Sequence, residues 1–329
     1  MRTLTMTKIL NATKIILSYY ISKITKKPIH WGHPMSISIE PTTACNLRCP
    51  ECPSGLRSFT RETGTLKQDF FRTTIDQIAR TCCSLTFYFQ GEPYLNPDFL
   101  RMVTYAHRKG LYTLTSTNGH FLSDEVARDT VESGLDRLII SIDGLTQKTY
   151  ESYRKNGTLR KVMDGTQNVL KWKKLLKSST PHVIFQFLVV RPNEHEIPKL
   201  FAMAKSLGVN EVRLKTAQLY DYKNGHILMP DNVKYSRYVQ SNDGTYRLKN
   251  EIHNQCWKMW HSAVITWNGL VVPCCFDKDA SHIMGDLKRK PFSHIWTNAT
   301  YRDFRQQILR ARKEVDICTN CSEGCSIWA

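Results

Sequence analysis

From residue 35 to about residue 215 the chain keeps one rhythm: a short β-rich run, a turn, a helical run. The pattern predicts strands at Ser36–Pro41, Leu85–Phe89, Leu111–Ser116, Arg137–Ile142, Val183–Val190 and Glu211–Lys215. Helical runs lie between them. Leu66, Phe70, Ile75, Ile78 and Ala79 recur at helical spacing. Asn96-Pro97 opens a helix through Tyr105 that stops near Gly110, Ser123 caps one that Gly134 ends, and Glu194–Leu207 runs to Gly208. Strands that alternate with helices pair in parallel through right-handed crossovers, so the fold class is α/β. Such folds place their chemistry at the carboxyl ends of the strands.

Past residue 216 the rhythm breaks. Residues 217–255, rich in Tyr, Asn, Asp and Lys, read as a linker. Residues 261–273 read as a hairpin turning at Asn268-Gly269, followed by a helix at Asn298–Arg312 and a cysteine-rich tail. The length of 329 residues suits one large α/β unit with an appendage.

Basic residues outnumber acidic ones, 46 against 29, a surplus that points to nucleic acid, an anionic membrane surface or an acidic substrate. Residues 1–39 carry Arg2, Lys8, Lys14, Lys23, Lys26 and Lys27 and no acid. Ile15–Ile24 leans apolar, but Ser18, Ser22 and Lys23 interrupt it and no Ala-x-Ala follows, so a secretory signal is not read here. Ile9, Ala12, Ile16, Tyr19, Tyr20 and Lys23 recur at helical spacing. They predict a basic amphipathic helix, packed on the body or making contact with a membrane surface. A second surplus at Lys171, Lys173, Lys174 and Lys177 reads as a solvated helix face. No charge-free apolar run reaches the length of a membrane span. A cytoplasmic location is therefore expected, where cysteines act as metal ligands or redox groups rather than disulfides.

Two cysteine groups stand out. Cys45, Cys49 and Cys52 follow the first strand directly. Three thiolates on one loop suit a [4Fe–4S] cluster with one iron left open, in preference to a zinc knuckle borrowing a distant fourth ligand. The second group is Cys256, Cys274, Cys275, Cys318, Cys321 and Cys325. Cys82-Cys83 lacks cluster spacing and reads as core, and His195 reads as a surface residue at a helix start.

Cys45-Asn46-Leu47-Arg48-Cys49-Pro50-Glu51-Cys52 resembles the signature of the radical S-adenosylmethionine (SAM) enzymes. Three further motifs match in order, each at a strand end: Gln90-Gly91-Glu92-Pro93, Ser116-Thr117-Asn118-Gly119 and Ser141-Ile142-Asp143-Gly144. Two positions depart from the family pattern. Gln90 replaces a glycine, and Glu51 stands where many members carry an aromatic that packs on adenine. The resemblance implies a partial (β/α)6 TIM-like barrel with the cluster loop at its top. It implies SAM chelated at the open iron, with Gln90, Gly91, Glu92, Asn118, Ser141 and Asp143 in the cofactor site. Glu92 is an acceptor suited to the cationic amino group of SAM.

The tail resembles the SPASM and shorter twitch extensions, which bind auxiliary clusters. One auxiliary [4Fe–4S] cluster is implied, on Cys256, Cys274, Cys318 and Cys321, with Cys325 and Cys275 as substitutes and structural zinc as the competing reading. The expected organisation is an N-terminal helix over 1–34, the barrel over 35–216, a linker over 217–255 and the auxiliary-cluster module over 256–329, covering the top face. The resemblance also implies an oxidoreductase or maturase acting on a peptide, or else on a small molecule such as a sugar or alcohol. An electron donor such as flavodoxin or ferredoxin would serve it. With about 35 residues before the first strand, no fused leader-binding domain is expected. A basic, zinc-containing nucleic-acid binder is the other class that the charge allows. The tail has no histidines at finger spacing, and residues 1–39 form no stacking platform, so no nucleic acid is expected. The sequence singles out no catalytic residue.

Overall fold

The computed structural model describes residues 4–324. The βα rhythm becomes six parallel strands: β1 (Ser36–Ile39), β2 (Ser84–Thr86), β3 (Tyr112–Thr117), β4 (Arg137–Ser141), β5 (His182–Val189) and β6 (Glu211–Thr216). They lie side by side in chain order. Ser36 stands opposite Ser84, and Ile140 opposite Phe185. Leu138–Ser141 of β4 are buried without alternation, as expected for a parallel sheet covered on both faces.

The helices are α1 (Met6–Thr25), α2 (Pro53–Leu56), α3 (Gln68–Ile78), α4 (Phe99–Arg108), α5 (Asp124–Glu132), α6 (Gln147–Tyr153), α7 (Leu159–Leu175) and α8 (Ile197–Leu207), followed by three in the C-terminal part. α4 shows why they pack as they do. Phe99, Met102, Val103 and Ala106 form one buried stripe at helical spacing. α4 starts at Phe99, later than the Asn96-Pro97 cap implies. Asn96 instead gives its amide to the carbonyls of Pro41 and Leu66, which anchors the loop after β1. Ser123 caps α5 through the Val126 N–H, and Gly208 ends α8 in the left-handed conformation. Lys171 pairs with Asp124 on the surface.

The C-terminal part does not sit on the barrel as a separate cover. β9 (Ser262–Ile265) pairs in parallel with β1, Ser36 opposite Ser262. β10 (Leu270–Val272) and β11 (Gly285–Asp286) follow antiparallel, giving a nine-stranded sheet ordered β11-β10-β9-β1-β2-β3-β4-β5-β6. The physical reason is that β1 would otherwise leave a row of unpaired backbone groups at the sheet edge. α9 (Lys258–His261), α10 (Phe292–Trp296) and α11 (Ala299–Ala311) continue the same core, in which Trp260 and Trp296 are fully buried.

The segment 217–255 is not a free linker. It contains β7 (Tyr238–Gln240) paired with β8 (Tyr246–Leu248). Its Ala217, Leu219, Leu228, Met229 and Tyr238 form a second small core with Leu47, Cys49, Tyr153 and Val190. α1 turns inward a face other than the expected one: Lys8, Asn11, Ile15, Ser18, Tyr19 and Ser22 are buried, while Ile9 and Tyr20 are exposed. Polar anchors set this orientation. Lys8 Nζ donates to the Gly110 carbonyl at 2.7 Å, Asn11 exchanges bonds with His33, and Ser22 does so with Ile29. Among the described residues, no helix is long and apolar enough to cross a membrane.

Candidate active site

The loops at the carboxyl ends of β1 to β4 meet in one cavity. Cys45, Cys49 and Cys52 line it together with Glu92, Asn118, Ser141 and Arg154. The three thiols ring a cavity. Among the described residues, no three potential ligands converge on a point suited to one metal ion. Three thiols of one loop around a shared cavity are the donor set that a [4Fe–4S] cluster with one open iron takes. Burial pushes the Cys45 thiol up to about 11 and also raises Cys49, so seating a cluster would release protons.

The loop is held by its neighbours. Arg48 N donates to Lys155 O, and Glu92 N to Ala44 O at 2.8 Å. Gly91 adopts φ +74, and a Cβ there would lie 2.2 Å from the Thr42 carbonyl oxygen, so the backbone approach needs glycine. Its N–H donates to Ser54 Oγ. Gln90, in contrast, is buried but does not line the cavity.

Glu92 is almost fully buried. Its carboxyl accepts from Thr117 Oγ1 at 2.7 Å, Asn118 N at 2.7 Å and Tyr94 N at 3.3 Å. Burial nevertheless outweighs these bonds and pushes its pKa up to about 7. Asn118 Nδ2 donates to Asn46 Oδ1 at 2.7 Å and lies 4.0 Å from Cys45 Sγ.

Asp143 behaves differently from the other cofactor-site candidates. It is fully buried and stands outside the cavity lining. One oxygen accepts from Arg154 Nε and the other from Leu188 N. The group that reaches the cavity is Arg154, whose Nη1 stands 3.9 Å from Cys49 Sγ. Sequence reasoning missed Arg154, since nothing near it in the chain marks a site. Glu51 also has a different task. Its carboxylate accepts from Tyr220 N at 2.8 Å and pairs with His226 at 3.4 Å, clasping the 217–255 segment to the cluster loop.

The second cysteine group also assembles. Cys256, Cys274, Cys318 and Cys321 line one small buried cavity together with Arg312. Burial raises all four thiols, Cys318 to about 11 and Cys321 to about 12. Arg312 is a buried cation in this ring, with Nη2 3.4 Å from Cys321 Sγ. Cys275 is exposed, 3.8 Å from Lys258 Nζ and off the cavity. Cys325 lies outside the described residues. A bridge joins the two sites: Tyr238 OH bonds Asn320 Oδ1 at 2.9 Å, and Asn320 Nδ2 donates to Leu219 O. Asn320 lies between the two cysteines of the tail loop, and Leu219 belongs to the small core behind Cys49.

A sheet of βα units with a three-cysteine loop at its top, joined to a four-cysteine pocket, defines an iron–sulfur enzyme of the SAM-cleaving type. The profile of the radical SAM superfamily matches residues 39–204, and that of the SPASM iron–sulfur cluster-binding domain matches residues 256–322. The chain belongs to the radical SAM superfamily and carries a SPASM domain. It is an enzyme whose cofactors are SAM and iron–sulfur clusters. The family assigns the cysteines to iron–sulfur chemistry rather than to a zinc protein.

Among its relatives is the tungsten-containing aldehyde ferredoxin oxidoreductase cofactor-modifying protein of Pyrococcus furiosus, 25% identical over 86% of each chain. The PqqA peptide cyclase of Gluconobacter oxydans is 29% identical over 60% of this chain and 54% of its own. The SAM-dependent 2-deoxy-scyllo-inosamine dehydrogenase of Niallia circulans is 22% identical over 87% of this chain and 92% of its own. Among solved structures, Streptococcus suis SuiB bound to SAM superposes with a TM-score of 0.65 at 13% identity, over 95% of this chain and 75% of that one. BtrN in complex with AdoMet and 2-DOIA gives 0.55 at 20%, over 88% and 94%. At these identities the structural likeness concerns the fold.

Proposed function

We propose that Cys45, Cys49 and Cys52 hold the SAM-binding cluster, that Cys256, Cys274, Cys318 and Cys321 hold one auxiliary cluster, and that the enzyme oxidatively modifies a peptide in the cytoplasm. The observation that carries this reading is the convergence of Glu92, Asn118, Ser141 and Arg154 with the three thiols in one cavity. A cluster held by Cys45, Cys49 and Cys52 would supply the one-electron reduction by which SAM is cleaved, and the substrate would lose a hydrogen atom in consequence. Glu92, oriented by Thr117 and the Asn118 N–H, receives the amino group of SAM. Asn118 and Ser141 offer polar contacts inside the cavity. Asp143 is a positioning residue that holds Arg154, a fixed cation beside Cys49.

The peptide reading draws on the PqqA peptide cyclase relative. The Niallia circulans dehydrogenase, matched over nearly its whole length, supports a second reading: oxidation of a sugar-like alcohol. A flavodoxin or ferredoxin is the proposed electron donor.

The test is anaerobic. Reduced, reconstituted protein should form 5′-deoxyadenosine, and the variant with Cys45, Cys49 and Cys52 all changed to Ala should not, while keeping iron in the SPASM domain. Undiminished 5′-deoxyadenosine from the triple variant would overturn the ligand assignment. Co-expression with short peptides encoded beside the gene should give a peptide of altered mass. Hydrogen transfer from an amino sugar into 5′-deoxyadenosine, with no peptide altered, would favour the second reading.

A further inference from the structure

α1 is apolar on both sides. Its docked face carries Ile15 and Tyr19 among Lys8, Asn11, Ser18 and Ser22, and its outward face is also largely apolar. Met6, Leu10, Thr13, Leu17, Tyr20 and Ile24 follow at alternating spacings of four and three residues. On a wheel of 3.6 residues per turn they lie within about 40° of one line, opposite the docked face. All six are exposed, Met6 by 71% and Ile24 by 79%. A helix on a globular protein normally turns a polar face to solvent.

Lys14 lies roughly 80° to one side of that line and Lys23 roughly 100° to the other. Lys26 and Lys27 follow at the helix end, and all four lysines are exposed. Residues 1–39 contain no acid. Just beyond the helix, Trp31 is exposed by 52%, a residue suited to the lipid headgroup level. We propose that the outer face of α1 lies on an anionic lipid bilayer, with the apolar stripe in the headgroup boundary and the lysines against lipid phosphates. A second copy of the chain fits less well. Two such helices would bring lysines together with no acid on either to pair them. The inference does not depend on the reaction catalysed.

The test uses full-length holoprotein and sedimentation with vesicles of phosphatidylcholine alone or mixed with phosphatidylglycerol. Binding to the mixed vesicles should be at least tenfold tighter and should weaken with salt, since each lysine near the surface is worth roughly a fivefold factor. The variant L10E with L17E should lose at least tenfold in binding while its melting temperature and 5′-deoxyadenosine formation stay unchanged. K14E with K23E should remove most of the preference for anionic lipid and leave the same two properties intact. Failure of the wild type to bind, or equal binding to both vesicle types, would overturn the proposal. So would a wild-type dimer that L10E with L17E converts to a monomer, which would assign the stripe to a second copy.

Discussion

Glu92 has a pH signature of its own. Burial raises its pKa from about 4.5 to about 7 in the free protein. A raised carboxyl favours the folded state at low pH and loses that advantage as pH climbs through about 7, by at most about 3 kcal/mol. The ammonium of SAM needs the ionised form. Affinity for SAM should therefore fall by up to tenfold per pH unit below about 7 and fall again once the amino group of SAM loses its proton, at about pH 8. In Glu92→Gln the slope below about 7 should vanish, and affinity should be roughly tenfold to a hundredfold weaker, as for loss of a charged hydrogen bond. Calorimetric titration across this range checks both, and a wild-type profile without that slope would mean that SAM does not meet this carboxyl. Arg312 has a different readout. Its cation sits among the thiols of the second group, so Arg312→Met should shift the auxiliary cluster to a lower potential. The shift is about 60 mV for each 1.4 kcal/mol of lost stabilisation. An EPR-monitored redox titration reads it, and an unchanged potential would leave Arg312 a structural role. Glu92 and the cysteine loop stand in short motifs that the family resemblance picks out, and both line one cavity. Arg154 was not legible in the sequence, because Asp143 and Cys49, which define its task, meet it only after β4 and the β1 loop converge.

At the scale of elements, five of the six strands were legible within two residues at each end, because buried parallel strands need β-branched runs closed by turns, whereas β2 stops at Thr86, three residues short of the expected Phe89. The places that failed depend on long-range pairing. Nothing local tells that Ser262–Ile265 will lie beside Ser36–Ile39. The 217–255 segment reads as a linker because its apolar residues are sparse, yet Tyr238 and Leu219 find partners on the cluster loop side. α1 was read by its apolar residues, whereas Lys8, Asn11 and Ser22 decide its docking. This architecture separates the two halves of the SPASM domain. The hairpin β9–β10 shares the barrel core and should not need a cluster to fold, whereas the Cys318–Cys321 loop hangs on one short 3-10 turn, Asp316–Cys318, with no strand pairing to hold it. In a variant with Cys318 and Cys321 changed to Ala, about four irons should be lost. Proteolysis should then cut near residues 316–324, while amides of β9 remain protected from exchange. Loss of protection in β9 as well would show that the cluster holds the whole domain.

For the whole molecule, the N-terminal strap closes the fold over both halves. Trp260 Nε1 donates to Ile29 O at 2.8 Å, Trp296 Nε1 to Gly32 O at 3.0 Å, and Tyr19 packs edge-on against Trp257 and Trp260. Ile15 and Tyr19 are each worth about 1.5–3 kcal/mol, and each lost indole bond about 1 kcal/mol. Removing residues 1–34 should therefore lower the melting temperature by about 10 °C. An unchanged melting curve would mean that the strap adds nothing to stability. The parallel pairing of β9 with β1 also dictates an order of events on the ribosome. β1 leaves the exit tunnel long before β9 has been made, so for most of synthesis the nascent sheet has an unfinished margin beside the Cys45 loop. Only when residues 262–265 emerge can that margin be sealed. The edge of β1 therefore stays open until translation has passed residue 265, and the last third of the sheet is laid down onto a core that the first six strands have already begun.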